Sequence, residues 1–332
     1  MARIEIDRSG ETFTCEDDTI LRAALRAGIG FPYACNSGSC GNCRFTLIEG
    51  EVEHGFGKAA GWSERDIRRN RWLGCQAIPR GDCRIKLRLD DQYRPAIRPA
   101  KTGALLESVR EITHDIREYD LRLDRAMDAL AGQYALVDLP GMTQPRAYSM
   151  SAIGEGGALW SFQIKLMPGG AGSSVLAGLS HGARLSLDGP FGTAHLRPEA
   201  PRDILCVAGG SGLSPMLAIC RAAVADPRCG ARNITLYYGA RGMADLFDTA
   251  ILPHEADGTP KLRFVPALSE SAPEGWTGRR GMLHEVVEAD LGADLARHEV
   301  YFAGPPAMAE AMERMLYQRG VAPEQMHFDK FL

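Results

Sequence analysis

The sequence predicts a multi-domain protein that combines α+β and α/β folds. Three observations support this fold class: a cysteine-rich loop among short elements near the N-terminus, a middle region of many short strands, and later units of strand, glycine turn, helix and strand. We expect an α+β domain over residues 1–93, a linker over 94–99, an antiparallel β-barrel over 100–199 and a parallel α/β domain over 200–332. The length of 332 residues agrees, since a domain commonly takes about 100–200 residues.

Composition and charge narrow the class of protein. Hydrophobic residues make up 45% of the chain and charged residues 24%, as in ordinary globular proteins. The net charge of −4 does not favour a nucleic-acid partner. The N-terminal residues 1–7 carry frequent charges, so they do not form a signal peptide, and no apolar run is long enough to cross a bilayer. We therefore expect a cytoplasmic protein without a membrane span. We also expect a monomer.

The N-terminal region contains a cysteine cluster. Cys35, Cys40 and Cys43 follow the spacing C-x4-C-x2-C, and Cys75 lies further along the chain. This spacing is typical of a plant-type [2Fe–2S] cluster, with three close ligands and one distant ligand. The glycines and serines between the cysteines let backbone N–H groups approach anionic sulfurs. We predict these four thiols as cluster ligands; zinc or free thiols are the alternatives, and Cys83 is the rival fourth ligand.

The elements around this loop complete the first predicted domain. Alternation and turn residues predict strands at residues 4–6, 12–15, 44–50 and 84–89, with a helix at residues 20–27. The segments F-P-Y-A at 31–34 and L-G-C-Q at 73–76 resemble those of plant-type ferredoxin domains. The resemblance implies a β-grasp fold in which the four matching cysteines hold the cluster.

The middle region predicts a barrel that carries two ligand-binding motifs. Strands expected at residues 104–112, 116–123 and 133–139 alternate with glycine and proline turns. The first motif, R-x-Y-S, comprises Arg146, Tyr148 and Ser149. Arginine offers a fork for phosphate, Tyr148 lies on the same strand face and can stack on an aromatic ring, and Ser149 can donate to a flavin ring nitrogen. An exposed arginine beside a half-buried tyrosine is the alternative interpretation.

The second motif of this region precedes a short helical stretch. It consists of Gly170, Ala171, Gly172 and Ser173. A helix N-terminus preceded by glycines can bind a pyrophosphate, which favours FAD over FMN as the flavin.

The last region predicts a dinucleotide-binding unit. A strand at residues 203–208 leads into the turn G-x-G-x-x-P, and a helix and a second strand at 233–238 follow. The proposed turn residues are Gly210, Ser211, Gly212 and Pro215, with Pro215 expected at the first helical position. A tight turn without a ligand is the alternative. Further along, Arg241 follows the second strand, and Gly304 and Pro305 follow the strand at 300–303.

Taken together, these motifs resemble those of the ferredoxin–NADP reductase superfamily. The order of ferredoxin, flavin and nicotinamide modules is similar to that in reductase components of bacterial multicomponent oxygenases, toluene and xylene monooxygenase reductases above all. The resemblance implies electron transfer from NADH through FAD and the [2Fe–2S] cluster to an oxygenase hydroxylase or a Rieske ferredoxin, in support of aromatic hydrocarbon hydroxylation. It also implies that Phe331 lies against the flavin, with a core phenylalanine that packs the last strand as the alternative. Arg241 is implied to contact the nucleotide, with NADH preferred. Ala303 replaces a cysteine common in the family.

Other functions remain open from the sequence. A non-enzymatic redox sensor, a stand-alone diaphorase and a reductase for sugar deoxygenation are each compatible with the same motifs. The charges around the cysteine loop are mixed and do not identify the electron acceptor.

Overall fold

A computed structural model describes residues 1–55, 59–254, 261–270 and 272–331. Its N-terminal part is a five-stranded sheet in the order β2-β1-β7-β3-β5, with helix α1 packed against it and a separate pair β4-β6. The elements are β1 (Ala2–Ile6), β2 (Thr12–Cys15), α1 (Ile20–Arg26), β3 (Arg44–Glu49), β4 (Val52–His54), α2 (Glu64–Arg68), β5 (Arg71–Leu73), β6 (Ala77–Pro79) and β7 (Cys83–Lys86). Thr19 caps α1 because its side chain accepts from the amide of Arg22.

The middle part is a closed barrel in the order β10-β11-β12-β9-β8-β13. Its elements are β8 (Ala100–Glu111), β9 (Ile116–Leu123), β10 (Tyr134–Asp138), β11 (Arg146–Gly154), β12 (Leu159–Lys165), α3 (Ala171–Gly178) and β13 (Arg184–Phe191). All six strand pairs are antiparallel. The barrel interior is apolar, with Trp160 and Phe162 among its buried side chains.

The C-terminal part is a six-stranded parallel sheet in the order β17-β16-β15-β14-β18-β19. Its elements are β14 (Asp203–Gly209), α4 (Leu213–Ala225), β15 (Ile234–Ala240), β16 (Arg263–Leu268), β17 (Arg279–Arg280), α5 (Leu283–Leu291), β18 (His298–Gly304), α6 (Pro306–Gln318) and β19 (Met326–Lys330). Two apolar clusters cover the sheet, one including α4 and the other including α5 and α6. Central strands buried on both faces explain the continuous apolar runs in the sequence.

The predicted fold class is confirmed, and three local expectations are corrected. Helix α3 begins at Ala171, so the glycine–serine motif forms its first turn rather than preceding it. Helix α4 begins at Leu213, which makes Pro215 the third helical residue. A proline is still tolerated there, because the first four amides of a helix have no intrahelical partner. Strand β7 ends at Lys86, earlier than expected.

The linker at 94–99 does not hold the first two parts of the chain apart. Barrel residues Tyr134, Leu136 and Phe191 belong to the hydrophobic core of the N-terminal sheet. Arg26 on α1 forms a bidentate ion pair with Asp188 on β13, with distances of 2.9 and 2.6 Å. The two parts therefore share a core and a half-buried ion pair. Among the described helices, none combines the length and apolar character needed to cross a membrane.

Candidate functional site

The four thiols predicted as ligands are arranged as two pairs. Cys35 pairs with Cys40 and Cys43 pairs with Cys75, because in each pair the backbone amide of one cysteine donates to the sulfur of the other. In the described part of the chain, no three of these sulfurs lie mutually within 4.8 Å. A tetrahedral zinc site would place all four sulfurs about 3.8 Å apart, given Zn–S bonds of about 2.3 Å. A two-iron cluster needs two thiolates on each iron, so the arrangement fits [2Fe–2S] and not zinc.

Backbone amides surround these sulfurs as an anionic cluster requires. The amides of Ser37 and Cys40 donate to the Cys35 sulfur at 3.5 and 3.4 Å, and the amide of Cys75 donates to the Cys43 sulfur at 3.5 Å. Hydrogen bonds from Cys40 and from Cys43 lower the pKa of Cys35 and of Cys75, respectively. One thiol of each pair is thus biased towards the thiolate, which is the form that binds iron.

Cys83, the rival ligand, lies elsewhere. It begins β7, is buried and hydrogen-bonds to the carbonyls of Glu51 and Gly81 at 3.5 and 3.3 Å. Burial raises its pKa, which favours a neutral thiol. Cys75 thus contacts a cysteine of the loop through its amide, whereas the hydrogen bonds of the Cys83 thiol go to backbone carbonyls outside the loop.

A second segment packs over the cysteine loop. The amide of Gly61 donates to the carbonyl of Gly38 at 2.8 Å, and Arg44 donates to the carbonyls of Gly41 and Gly61 at 2.8 and 2.7 Å. A Cβ atom at Gly61 would lie 2.8 Å from the Ser39 carbonyl, so only glycine permits this approach. This packing places α2, which follows at once, beside the cysteine loop.

The two flavin motifs meet where the first turn of α3 approaches β11. A Cβ atom at Gly172 in the first turn of α3 would lie 3.5 Å from the Tyr148 hydroxyl and 3.8 Å from Cγ of Arg146. Within the described residues, the Arg146 guanidinium and the Tyr148 hydroxyl have no hydrogen-bond or ion-pair partner. No side chain among the described residues caps α3, so its first amides lack an intrahelical or capping partner there. The motif residues thus present a cation and helix N–H groups together, which suits a pyrophosphate.

The two nucleotide motifs meet at the carboxyl edge of the parallel sheet. A Cβ atom at Gly212 would lie 1.9 Å from the Ala303 carbonyl oxygen, so the G-x-G turn touches the strand end that leads to Gly304 and Pro305. The Phe331 amide donates to the Gly304 carbonyl at 3.1 Å. In open α/β sheets, ligands bind beyond this edge of the strands.

Comparisons with known proteins agree with this three-part arrangement. Family models match the "2Fe-2S iron-sulfur cluster binding domain" at residues 4–80, the "oxidoreductase FAD-binding domain" at 103–196 and the "oxidoreductase NAD-binding domain" at 206–314. The chain is 41% identical to the ferredoxin–NAD(P)+ reductase CarAd of Metapseudomonas resinovorans, with 94% of each chain covered. The chain belongs to this reductase family.

The names of other relatives and of solved structures refer to different oxygenase systems. The xylene/toluene monooxygenase electron transfer component XylA of Pseudomonas putida is 36% identical, covering 94% of this chain and 88% of the relative. Among solved structures, the ferredoxin reductase in carbazole 1,9a-dioxygenase has a TM-score of 0.91 at 39% identity, covering 100% and 98% of the two chains. The Amycolatopsis cytochrome P450 reductase GcoB has a TM-score of 0.84 at 30% identity, covering 100% and 99%. This chain is accordingly an oxidoreductase with [2Fe–2S], FAD and NAD modules.

The reductase joins its flavin and nucleotide modules through a serine that the sequence motifs did not single out. The Ser214 hydroxyl, in the first turn of α4, donates to the carbonyl of Ser149 at 2.6 Å and accepts from the amide of Gln163 at 3.2 Å. Ser149 itself is buried, with 8% of its surface exposed. The only sequence signal for Ser214 is a polar residue within an otherwise apolar helix start.

Arg241 of the reductase lies in a polar contact between the barrel and the nucleotide module. It pairs with Asp245 at 3.2 Å, and the Asp115 carboxylate of the barrel lies 4.0 Å away. Lys165 approaches Asp115 at 2.6 Å, and a ring nitrogen of His114 lies 2.8 Å from the Ala244 carbonyl oxygen. The guanidinium thus has two carboxylates close by, although its side chain is 60% exposed.

Proposed function

We propose that this reductase oxidises NADH and passes the electrons through FAD and the [2Fe–2S] cluster to an oxygenase hydroxylase or its Rieske ferredoxin, in support of aromatic hydrocarbon hydroxylation. Bound FAD would supply the conversion of a two-electron hydride into single electrons. The observation that carries the proposal is the two-by-two pairing of the cysteines by amide-to-sulfur hydrogen bonds, on a domain that shares its core with the flavin barrel.

Each cofactor has a proposed set of residues. The cluster ligands are Cys35, Cys40, Cys43 and Cys75. The residues proposed to hold FAD are Arg146, Tyr148, Ser149, Gly170, Ala171, Gly172 and Ser173. The residues proposed to hold the nicotinamide nucleotide are Gly210, Ser211, Gly212, Pro215, Arg241, Gly304 and Pro305.

The residues proposed to hold FAD contact different parts of the cofactor. The Arg146 guanidinium, which has no partner among the described residues, and the first amides of α3 bind the pyrophosphate, since both present N–H donors to an anion. Tyr148 stacks on an aromatic ring of the cofactor, and Ser149 donates its hydroxyl to a flavin ring nitrogen. Phe331, half-buried at the sheet edge beside Gly304, covers the flavin and excludes water from the site.

A preference for NADH over NADPH follows from the surroundings of Arg241. An arginine in this position could bind the 2′-phosphate of NADPH. Here Asp245 and Asp115 lie beside the guanidinium and would repel a phosphate dianion. A ribose with free hydroxyls meets no such repulsion.

We place the acceptor on the cysteine-loop side of the N-terminal domain. Cys40 is partly exposed there, and Asn42 is exposed. Arg65, Arg69 and Arg71, around α2, form no ion pair within the described residues. An acceptor with an acidic surface therefore fits this side, and its association should weaken with added salt.

The test is reconstitution with purified candidate acceptors. NADH should reduce the protein, and the hydroxylase or Rieske ferredoxin of an aromatic oxygenase should then be reduced in a manner that requires the cluster. Reduction of small dyes alone, with no oxygenase component reduced, would contradict the proposal and favour a diaphorase. The proposal includes a cytoplasmic monomer with domain boundaries near residues 93–100 and 199–200, which size-exclusion chromatography and limited proteolysis can check.

A further inference from the structure

A buried tyrosine of the barrel reaches the cysteine loop. Tyr134 begins β10, is 4% exposed and donates its hydroxyl to the carbonyl of Ala34 at 2.6 Å. Ala34 immediately precedes Cys35, so this hydrogen bond anchors the residue next to a candidate cluster ligand. The contact joins positions 100 residues apart in the sequence.

The backbone of Tyr134 lies on the strand that pairs with the strand of the R-x-Y-S motif. Tyr134 on β10 is the cross-strand partner of Ser149 on β11. Paired residues in an antiparallel sheet lie about 4.5–5.5 Å apart. One residue thus contacts the cysteine loop through its side chain and the R-x-Y-S strand through its backbone.

Packing fixes the tyrosine ring in this position. The ring lies 5.9 Å from that of Phe191, measured between centroids. In a second contact the barrel is the donor: the amide of Gly192 donates to the hydroxyl of Tyr33, next to Ala34, at 2.8 Å. Residues 33 and 34 are therefore held by two hydrogen bonds to the barrel.

We propose that Tyr134 is a positioning residue for electron transfer from the flavin module to the cluster, a role that rests on the proposed function. It holds the Cys35 side of the cysteine loop at a fixed separation from the Ser149 strand. In each transfer, one electron would pass from bound, reduced FAD to the oxidised cluster, and no atom would move between them. The Tyr134 proton stays on its oxygen, because the hydroxyl is engaged with a backbone carbonyl.

Tyr134→Phe removes the hydroxyl and retains the aromatic ring, so it tests the hydrogen bond alone. The Arg26–Asp188 ion pair and the shared apolar core remain, so the domains should stay docked. A typical net hydrogen bond shifts an equilibrium by about fivefold, so we expect the flavin-to-cluster rate to fall by up to about that factor. Tyr237→Phe is the matched control, since it removes a buried hydroxyl that contacts Asp290 in the nucleotide module.

The experiment is anaerobic stopped-flow mixing of the holoprotein with NADH, with flavin and cluster absorbance followed separately. Tyr134→Phe should keep full iron content, the EPR spectrum of the reduced cluster and NADH-dependent dye reduction within about twofold, while cluster reduction slows. A merely structural role would lower the melting temperature or cluster content but leave the intramolecular rate unchanged.

An unchanged rate in Tyr134→Phe, or equal slowing in Tyr237→Phe, would overturn the role of Tyr134. If NADH never reduces the cluster in the unaltered protein, the proposed function fails and this role fails with it. If Tyr134→Phe does not retain its cofactors, Tyr33→Phe provides the second test, because it removes the companion bond on the same segment. An unchanged flavin-to-cluster rate in that variant would then contradict the proposal.

Discussion

Gly212→Ala should disturb the nucleotide site more than a glycine-to-alanine substitution at any other position of this turn. The new Cβ would lie 1.9 Å from the carbonyl oxygen of Ala303 and 2.4 Å from its carbonyl carbon. An ordinary contact between heavy atoms is about 3.5 Å, so the two segments would have to separate by roughly 1.5 Å. Both contacts are to backbone, which cannot move aside by changing a rotamer.

The size of the effect follows from the cost of overpacking. Such substitutions typically cost about 1–3 kcal/mol, and a separation of this size favours the upper half of that range. If the cost falls on nucleotide binding, the KM for NADH should rise roughly 10- to 100-fold, since about 1.4 kcal/mol corresponds to a factor of ten. If it falls on the fold, the melting temperature should drop instead.

Steady-state dye reduction at varied NADH and thermal unfolding together measure both outcomes. Gly242→Ala is the matched control, because a Cβ there meets nothing within 4 Å and the backbone φ is −147°. A Gly212→Ala variant with both the KM and the melting temperature of the parent would refute the argument that the two nucleotide motifs touch through this glycine.

Three further predictions concern single side chains. Cys75→Ala should abolish the EPR signal of the cluster but retain flavin reduction by NADH, whereas Cys83→Ala should keep the cluster. Iron analysis and EPR measure both outcomes. The reverse pattern would show that the ligand assignment is wrong. Asp245→Ala should raise kcat/KM for NADPH about five- to tenfold by removing the nearer carboxylate from Arg241, and an unchanged NADH/NADPH ratio would contradict the proposed repulsion. Burial raises the pKa of Asp329 to about 7, so its contribution to stability declines as the pH rises from about 4 to about 7. The melting temperature of Asp329→Asn minus that of the parent should therefore increase between pH 5 and pH 7 and then level off; a constant difference would exclude this titration.

The sequence is most informative where chemistry requires a particular spacing. The C-x4-C-x2-C loop, the apolar run of β14 and the glycine turn after it are local patterns, and each predicts its element without reference to the rest of the chain. The start of α3 is less well determined by the sequence, because glycines before a helix and glycines in its first turn, such as Gly172, produce the same pattern.

Contacts between modules could not be predicted in the same way. The Ser214 hydroxyl meets Ser149 across 65 residues, and Tyr134 meets Ala34 across 100. Nothing in the pattern around Tyr134 distinguishes it from an ordinary core tyrosine of a barrel strand. The proline-rich linker suggests separate modules, yet Phe191 and its neighbours extend the N-terminal core into the barrel. Such packing depends on tertiary structure, which local periodicity does not report.

An anaerobic titration of the purified protein with NADH, followed by absorbance and EPR, tests the electron route most directly. We expect about one flavin and two iron atoms per chain, bleaching of the flavin, and an EPR signal from a reduced [2Fe–2S] cluster that grows as NADH is added. A flavin that becomes fully reduced while the cluster stays oxidised, or a metal content of zinc in place of iron, would contradict this route.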